Sequence, residues 1–315
     1  MSGQQCEIAW FSALCDDDYE FLGVSDPYLQ SSWEHCRNIV MRAEEGGFDN
    51  ILLPSGYQLG LDTTAFAAAV ATQVKRMKLL WATRMGEDWP PQLARRIATL
   101  DRILGPNAAG TGGRLNVNII SSDMPGEKIE SGPRYRRATE IMKIVRTLLN
   151  GEHLDFQGEF YNLQLDPARI TTLSGTCPAF YFGGLSHEAR ECAAEGCDVY
   201  LMWPDTMDKV RETITDMKQR AAAKGRALKF GYRVHVVVRE TEEEARAYAD
   251  RLLSKLDEEA GKAIREKSLD AKNFGVQRQQ ELRGAAGGDG FVEDNLWTGI
   301  GRARSGCGAA IVGTP

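Results

Sequence analysis

The sequence predicts an α/β fold, a TIM-type (β/α)8 barrel, from two observations. Short apolar runs bounded by Gly and Pro alternate with helical stretches in six consecutive strand-then-helix units. Turn chemistry of the kind that joins antiparallel strands is scarce, so the strands are expected to be parallel and covered by helices. At 315 residues the chain fits a single barrel domain over residues 1–315.

The first four units fill the N-terminal half of the chain. The predicted strands are Glu7–Ser12, Asn50–Leu53, Lys78–Ala82 and Arg114–Ile120. Helical periodicity runs through Trp33–Ala43, Thr63–Thr72, Leu93–Leu104 and Ile141–Leu148. Pro90 and Pro91 stand at the start of the third helix, where proline is tolerated. The Gly-rich stretch 105–113 is predicted to be an insertion in the repeat.

The C-terminal half continues the same alternation. A hairpin is predicted at His153–Leu165, inside a second insertion over residues 152–170. Further strands are predicted at Ala179–Phe182, Val199–Met202 and Phe230–Arg239, with helices over 186–195, 208–223 and 241–256. Residues 257–295 are polar, contain Gly and carry little strand signal, which is typical of a mobile lid.

Composition excludes several function classes. A net charge of -6 and a pI near 5.5 give no support for nucleic-acid binding. No apolar run approaches the ~18 residues that cross a bilayer. The seven cysteines are odd in number and scattered, so reduced thiols and a cytoplasmic location are expected.

Familiar cofactor and catalytic motifs do not occur in the sequence. It contains no G-x-G-x-x-G after the first strand, no P-loop and no G-x-S-x-G elbow. Cys192 and Cys197 have no second pair, and His187-Glu188 lacks the second histidine of a zinc hydrolase, so no metal is expected. Asp16–Asp18 fit a solvated loop better than a cation site.

Two polar side chains stand out within the predicted seventh strand. Strand alternation places Arg233 and His235 on one face with Val237, and Tyr232 on the other. If both faces are covered, an anionic ligand is a natural partner for the guanidinium and the imidazole. The alternative is an ordinary strand whose polar face meets water.

Three further features fall at the carboxyl ends of strands or beyond the predicted lid. Gly183-Gly184-Leu185-Ser186 leads directly into a helix, where backbone N–H groups form a phosphate cradle, or where Ser186 is a plain N-cap. Trp203 follows the sixth strand as a core aromatic or as a flat wall beside a ring. Arg304 lies beyond the predicted lid, either as a second cation for the site or as a solvated arginine.

Motifs spread along nearly the whole chain resemble the bacterial luciferase-like flavin monooxygenases, and among them the alkanesulfonate monooxygenases. The matching segments are Trp10-Phe11, Leu53–Gly56, Ala98–Arg102, Tyr181–Gly184, Tyr200–Trp203, Phe230–Thr241 and Asn295–Gly299. The Arg-Val-His segment at Arg233–His235, with the contexts of Trp203 and Arg304, makes the resemblance specific.

The resemblance implies a barrel that uses reduced FMN and O2, through a flavin peroxide, to cleave the carbon–sulfur bond of an organosulfonate into an aldehyde and sulfite. It implies that Arg233 and Arg304 meet the sulfonate and the peroxide anion, that His235 donates or accepts a proton, and that Trp203 shapes the sulfonate pocket. The residues implied in FMN phosphate binding are Tyr135, Gly183, Gly184, Leu185 and Ser186. A separate NAD(P)H-dependent flavin reductase and a homodimer or homotetramer are implied as well.

Departures from the family pattern bear on the substrate and on the chain end. The family's cysteine after strand two is replaced by Tyr57–Leu61, and its first-loop histidine by Cys15–Glu20. Carboxylates suit hydroxyl groups, so a sulfosugar such as sulfoquinovose is expected. The alternatives are a simple alkanesulfonate, a sulfone or another small molecule, or a non-catalytic flavin-binding barrel. The family continues through a last β/α unit that this chain lacks, so we expect a longer native product, or a truncated or partly ordered form.

Overall fold

The computed structural model describes residues 6–11, 14, 20–57, 59–122, 124–127, 129–266, 273–304 and 306–315. The described residues form two compact units. The first unit comprises the described residues within Met1–Asp17, Tyr28–Phe182 and Gly196–Asp198. The second comprises those within Asp18–Pro27, Gly183–Glu195 and Val199–Pro315. Residues 15–19 of the predicted acidic loop at Cys15–Glu20 lie outside the described residues, as does Gln58 of the Tyr57–Leu61 segment.

The first unit is an alternation of strands and helices. Its elements are β1 (Ala9–Phe11), α1 (Trp33–Glu45), β2 (Asn50–Leu53), α2 (Thr63–Ala71), β3 (Lys78–Arg84), α3 (Pro90–Leu104), β4 (Leu115–Ile120), α4 (Ser131–Leu149), β5 (Leu154–Gln157), β6 (Asn162–Leu165) and β7 (Phe180–Phe182). Strands β1, β2, β3, β4 and β7 are neighbours in that order and all pair in parallel. The predicted parallel α/β arrangement is therefore confirmed, and β5–β6 is the predicted hairpin.

Burial and capping explain why these segments take these forms. All four residues of β2 and six of the seven in β3 are buried, as expected for parallel strands covered on both faces. The Ser32 side chain accepts a hydrogen bond from the His35 amide and so starts α1. The buried carboxylate of Glu44 accepts from the amides of Lys75 and Met77, at 2.8 and 3.1 Å. Glu44 thereby ties the end of α1 to the start of β3.

The second unit contains a further strand pair and a separate mixed sheet. Its elements are α5 (His187–Gly196), β8 (Val199–Met202), α6 (Met207–Ala223), β9 (Lys229–Tyr232), β10 (His235–Val238), α7 (Glu242–Leu253), α8 (Glu258–Glu266), α9 (Phe274–Gly284), β11 (Phe291–Glu293), β12 (Leu296–Trp297) and β13 (Ala310–Gly313). β8 pairs in parallel with β9. The mixed sheet has the order β10-β13-β12-β11, and β10 and β13 are parallel.

Two predictions for the C-terminal region need correction. The chain from Phe230 to Arg239 is not one strand, since β9 and β10 belong to different sheets. The expected scarcity of strands over residues 257–295 is wrong at Phe291–Glu293, which forms β11. The same segment also contains α8 and α9, and its mobility as a lid stays a prediction. Among the described helices, none has both the length and the apolar character to span a bilayer.

Candidate active site

The break between β9 and β10 sets the position of Arg233 and His235. The amide of Arg233 donates to the carbonyl of Met202 at 2.8 Å, so the pairing of β9 with β8 extends to this residue. His235 then begins β10, which pairs with β13. The predicted alternation of faces across Arg233 and His235 is therefore interrupted. A run of valines could not reveal this, because β-branched residues suit either sheet equally.

His235 is a neutral imidazole whose tautomer is fixed by a backbone carbonyl. Its Nε2 lies 3.2 Å from the carbonyl oxygen of Cys307. A carbonyl can only accept, so Nε2 carries the hydrogen and Nδ1 keeps its lone pair. Burial, with the nearby charges of Arg304 and Arg233, lowers the pKa of His235 to about 4. At neutral pH the imidazole is therefore uncharged, and its role in proton transfer stays a prediction.

The charges of Arg233 and Arg304 both act on His235 and Cys307. Both guanidinium groups disfavour protonation of the imidazole. Burial raises the pKa of the Cys307 thiol, and the same two arginines oppose that rise. The Cys307 thiol also donates to the Arg233 carbonyl at 3.5 Å. The charges of Arg233 and Arg304, which lie 71 positions apart in the sequence, thus act on the same imidazole and the same thiol.

Trp203 lies in the same unit and borders the segment that carries Arg304. A Cβ atom placed on Gly275, in the first turn of α9, would lie 2.9 Å from the indole Cζ3. One placed on Gly306, where φ is +91°, would lie 3.5 Å from its Cη2. The indole is therefore contacted by the backbone of both segments. Trp203 is half-buried, and its role as a wall of the site stays a prediction.

The predicted phosphate cradle forms a capped helix start. The Ser186 hydroxyl accepts from the Ala189 amide at 3.1 Å, which makes Ser186 the N-cap of α5. Hydrogen bonds from its own amide and from the Ser186 side chain lower the pKa of Glu188. The helix start thus holds a carboxylate of the chain itself, as its partial positive charge favours. Its role for a flavin phosphate stays a prediction.

Gly183 occupies a place where no side chain fits. A Cβ atom there would lie 2.5 Å from the Leu201 carbonyl oxygen, which belongs to β8 and cannot rotate away. We expect Gly183→Ala to lower the free energy of unfolding by about 2 kcal/mol, measured by urea titration. Gly284→Ala is the matched control, because a Cβ atom at that helical position would contact nothing within 4 Å. Equal stability of the two variants would contradict this account.

Tyr135, the remaining residue predicted to bind the flavin phosphate, belongs to the first unit. It lies in α4, and its ring packs edge-on against Phe182 with centroids 6.1 Å apart. The Phe182 contact orients the tyrosine ring. Its assignment to the phosphate stays a prediction.

Buried donors that the sequence interpretation missed lie on β3 and directly after β4. The indole Nε1 of Trp81 and the Ser121 hydroxyl are buried without a hydrogen-bond partner. Buried polar atoms are rarely left in this state, so a ligand with acceptor atoms fits them. The isoalloxazine ring of a flavin has such acceptors. The position of Ser121 at the carboxyl end of a barrel strand was the available signal.

Similarity to known proteins identifies the family. Residues 21–315 match the family model described as luciferase-like monooxygenase. The chain belongs to the luciferase-like monooxygenase family. This membership confirms the family that the sequence motifs resemble and the predicted fold class.

Individual proteins are similar to this chain over most of their length. A sulfoquinovose monooxygenase of Novosphingobium aromaticivorans is 90% identical over 315 residues, covering 100% of this chain and 87% of that protein. A sulfoquinovose monooxygenase of Agrobacterium fabrum is 51% identical over 311 residues, covering 98% and 79%. The crystal structure of riboflavin lyase with modified FMN and riboflavin has a TM-score of 0.71 at 18% identity, covering 89% of this chain and 74% of the other. That likeness shows a shared fold.

Proposed function

We propose that the chain is a flavin-dependent monooxygenase that cleaves the carbon–sulfur bond of an organosulfonate, with sulfoquinovose as the favoured substrate. The observation that carries the proposal is the grouping of Arg233, His235 and Arg304, in which the charges of both arginines act on a neutral imidazole. A sulfonate stays ionised at every physiological pH, so fixed arginines are a suitable receptor. The relative that is 90% identical bears the name of this activity.

Several described residues are candidates for holding the flavin. Trp81 and Ser121 offer buried donors for ring acceptors. The turn Gly183–Ser186 leads into the start of α5, whose backbone N–H groups favour an anion. The flavin phosphate would take the position that the Glu188 carboxylate occupies there. Tyr135 is the remaining candidate for the phosphate. Reduced flavin with O2 supplies the oxygen chemistry when it is bound.

The chain's own residues account for binding and for release of sulfite. Arg233 and Arg304 bind the sulfonate, and Trp203 covers the site against water. Once the carbon that bears sulfur carries a hydroxyl group, Nδ1 of His235 accepts the hydroxyl proton. The carbon–oxygen double bond forms, the carbon–sulfur bond breaks, and its electron pair leaves on sulfur as sulfite. The leaving group gains a second negative charge, which the two guanidinium groups stabilise.

A separate reductase supplies reduced flavin in this proposal, as in two-component enzymes. Oligomerisation as a dimer or tetramer remains part of the proposal. The preference for sulfoquinovose over an alkanesulfonate depends on hydroxyl-binding carboxylates predicted at Cys15–Glu20, of which residues 15–19 lie outside the described part of the chain.

Sulfite release tests the proposal directly. The protein is supplied with FMN, O2, NAD(P)H and a flavin reductase, and sulfite is measured with sulfoquinovose and with hexanesulfonate. We expect sulfite only when reductase and protein are both present, with the higher kcat/KM for sulfoquinovose. Equal or faster turnover of hexanesulfonate would contradict the sugar preference. Absence of sulfite from every sulfonate would contradict the activity.

A further inference from the structure

The side chain of Gln279 on α9 connects two segments of the candidate site. It is 6% exposed, which is unusual for a glutamine. Its Nε2 donates to the Pro204 carbonyl at 2.7 Å, and its Oε1 accepts from the Gly308 amide at 3.0 Å. A carbonyl can only accept and an amide N–H can only donate, so these partners fix the orientation of the Gln279 amide.

The bond to Gly308 reaches His235 through a single peptide group. The Gly308 N–H and the Cys307 carbonyl belong to the same peptide plane. On one side this plane donates to Gln279 at 3.0 Å, and on the other it accepts from His235 Nε2 at 3.2 Å. If the plane turned over, Nε2 would face an N–H group, and the opposite tautomer would be favoured. Gln279 therefore holds the carbonyl that keeps the hydrogen on Nε2.

The bond to Pro204 acts on the residue that follows Trp203. The same stretch is held by Arg278, which donates to both Asp205 carboxylate oxygens at 2.7 Å. Close approach of Gly275 to the indole adds a third contact. Three residues of α9, Gly275, Arg278 and Gln279, thus contact residues 203–205. Gln279 is the buried one that also reaches residue 308.

We propose that Gln279 is a positioning residue of the site, which fixes the tautomer of His235 through the Cys307–Gly308 peptide and the place of Trp203 through Pro204. Hydrogen bonds in such a chain polarise one another, and a buried amide with both ends bonded specifies one arrangement. The kinetic part of the inference rests on the proposed function. The prediction for the tautomer of His235 does not depend on the proposed function.

The tautomer is measured by nitrogen-15 NMR of the four imidazoles, with His235 assigned from a His235→Gln variant. In the unsubstituted protein we expect a protonated Nε2 and an unprotonated Nδ1 at neutral pH. Gln279→Met keeps the length of the side chain and removes both hydrogen bonds. We expect a mixture of His235 tautomers and a fall in kcat of about tenfold. Gln280→Met, at the exposed neighbouring position, should match the unsubstituted protein.

Gln279→Glu separates the two ends of the side chain. A carboxylate still accepts from Gly308 but cannot donate to Pro204, so we expect the His235 tautomer and kcat to be kept and KM to rise about tenfold. A folded Gln279→Met with the Nε2–H tautomer and unchanged kcat would overturn the inference. If Gln279→Met does not fold, Gln279→Glu decides, because unchanged KM overturns it and raised KM supports it. Absence of sulfite from the unsubstituted protein would refute the proposed function, while the NMR result would still decide the tautomer.

Discussion

Replacing Arg233 with methionine is expected to lower kcat/KM for sulfoquinovose by about three orders of magnitude. The sulfonate keeps its charge, so the variant must bind an anion with one guanidinium missing. Loss of one partner from a desolvated charge pair costs about 4 kcal/mol, and each ~1.4 kcal/mol is tenfold. The loss should grow during the reaction, because sulfite carries a second charge that the sulfonate lacks. The measurement is the rate of sulfite release over a range of substrate concentrations.

Two matched variants make this result specific. Arg211→Met removes an arginine from the exposed face of α6, where its guanidinium pairs with Asp208, and activity should be kept. Arg233→Lys keeps the charge without the planar fork, so we expect partial recovery. A less than tenfold loss in Arg233→Met would show that the grouping of Arg233, His235 and Arg304 does not bind the sulfonate. The same substitution should also raise the pKa of His235, since Arg233 is one cause of its depression.

Local sequence signals predicted the first unit well because its elements are defined by nearby residues. β2 spans Asn50–Leu53 as predicted, since the apolar run is bounded by Gly46-Gly47 before it and Pro54 after it. α3 begins at Pro90, where the paired prolines favour a helix start. Each of these elements forms from a run of fewer than about 20 residues, for which pattern arguments are strongest.

The second unit was less predictable because long-range pairing decides its form. β10 pairs with β13, so His235 lies opposite Ala310, and nothing local to either strand specifies that partner. The hydrogen bonds of Gln279 reach 75 and 29 residues along the chain. A glutamine in a helix normally faces solvent. Local strand alternation singled out Arg233 and His235. Only the family resemblance favoured Arg304 as their partner, because it carries long-range information that composition and periodicity lack.

Acidification between pH 6.5 and pH 4 is expected to destabilise the protein by about 3 kcal/mol through His235. Burial, Arg304 and Arg233 lower the folded-state pKa of this histidine to about 4, against an ordinary value of 6.5. Between these two values the unfolded chain binds a proton that the folded chain does not. The free energy of unfolding therefore falls as the pH falls through this window, and the effect is complete below pH 4. Urea titrations at several pH values measure the slope.

Other groups titrate in the same range, so the contribution of His235 must be isolated by difference. Glutamates whose pKa is lowered by arginine partners, such as Glu127 and Glu191, also lose stabilisation on acidification. A His235→Gln variant keeps those glutamates and removes the imidazole. Its free energy of unfolding should therefore change less steeply with pH between pH 4 and 6.5, and the difference is the contribution of His235. A saturating organosulfonate should reduce the contribution of His235 to the pH dependence of the unfolding free energy in the unsubstituted protein. The bound anion offsets the charges of Arg233 and Arg304 and so raises the pKa of His235. Identical slopes in the variant and the unsubstituted protein would mean that folding does not lower the pKa of His235.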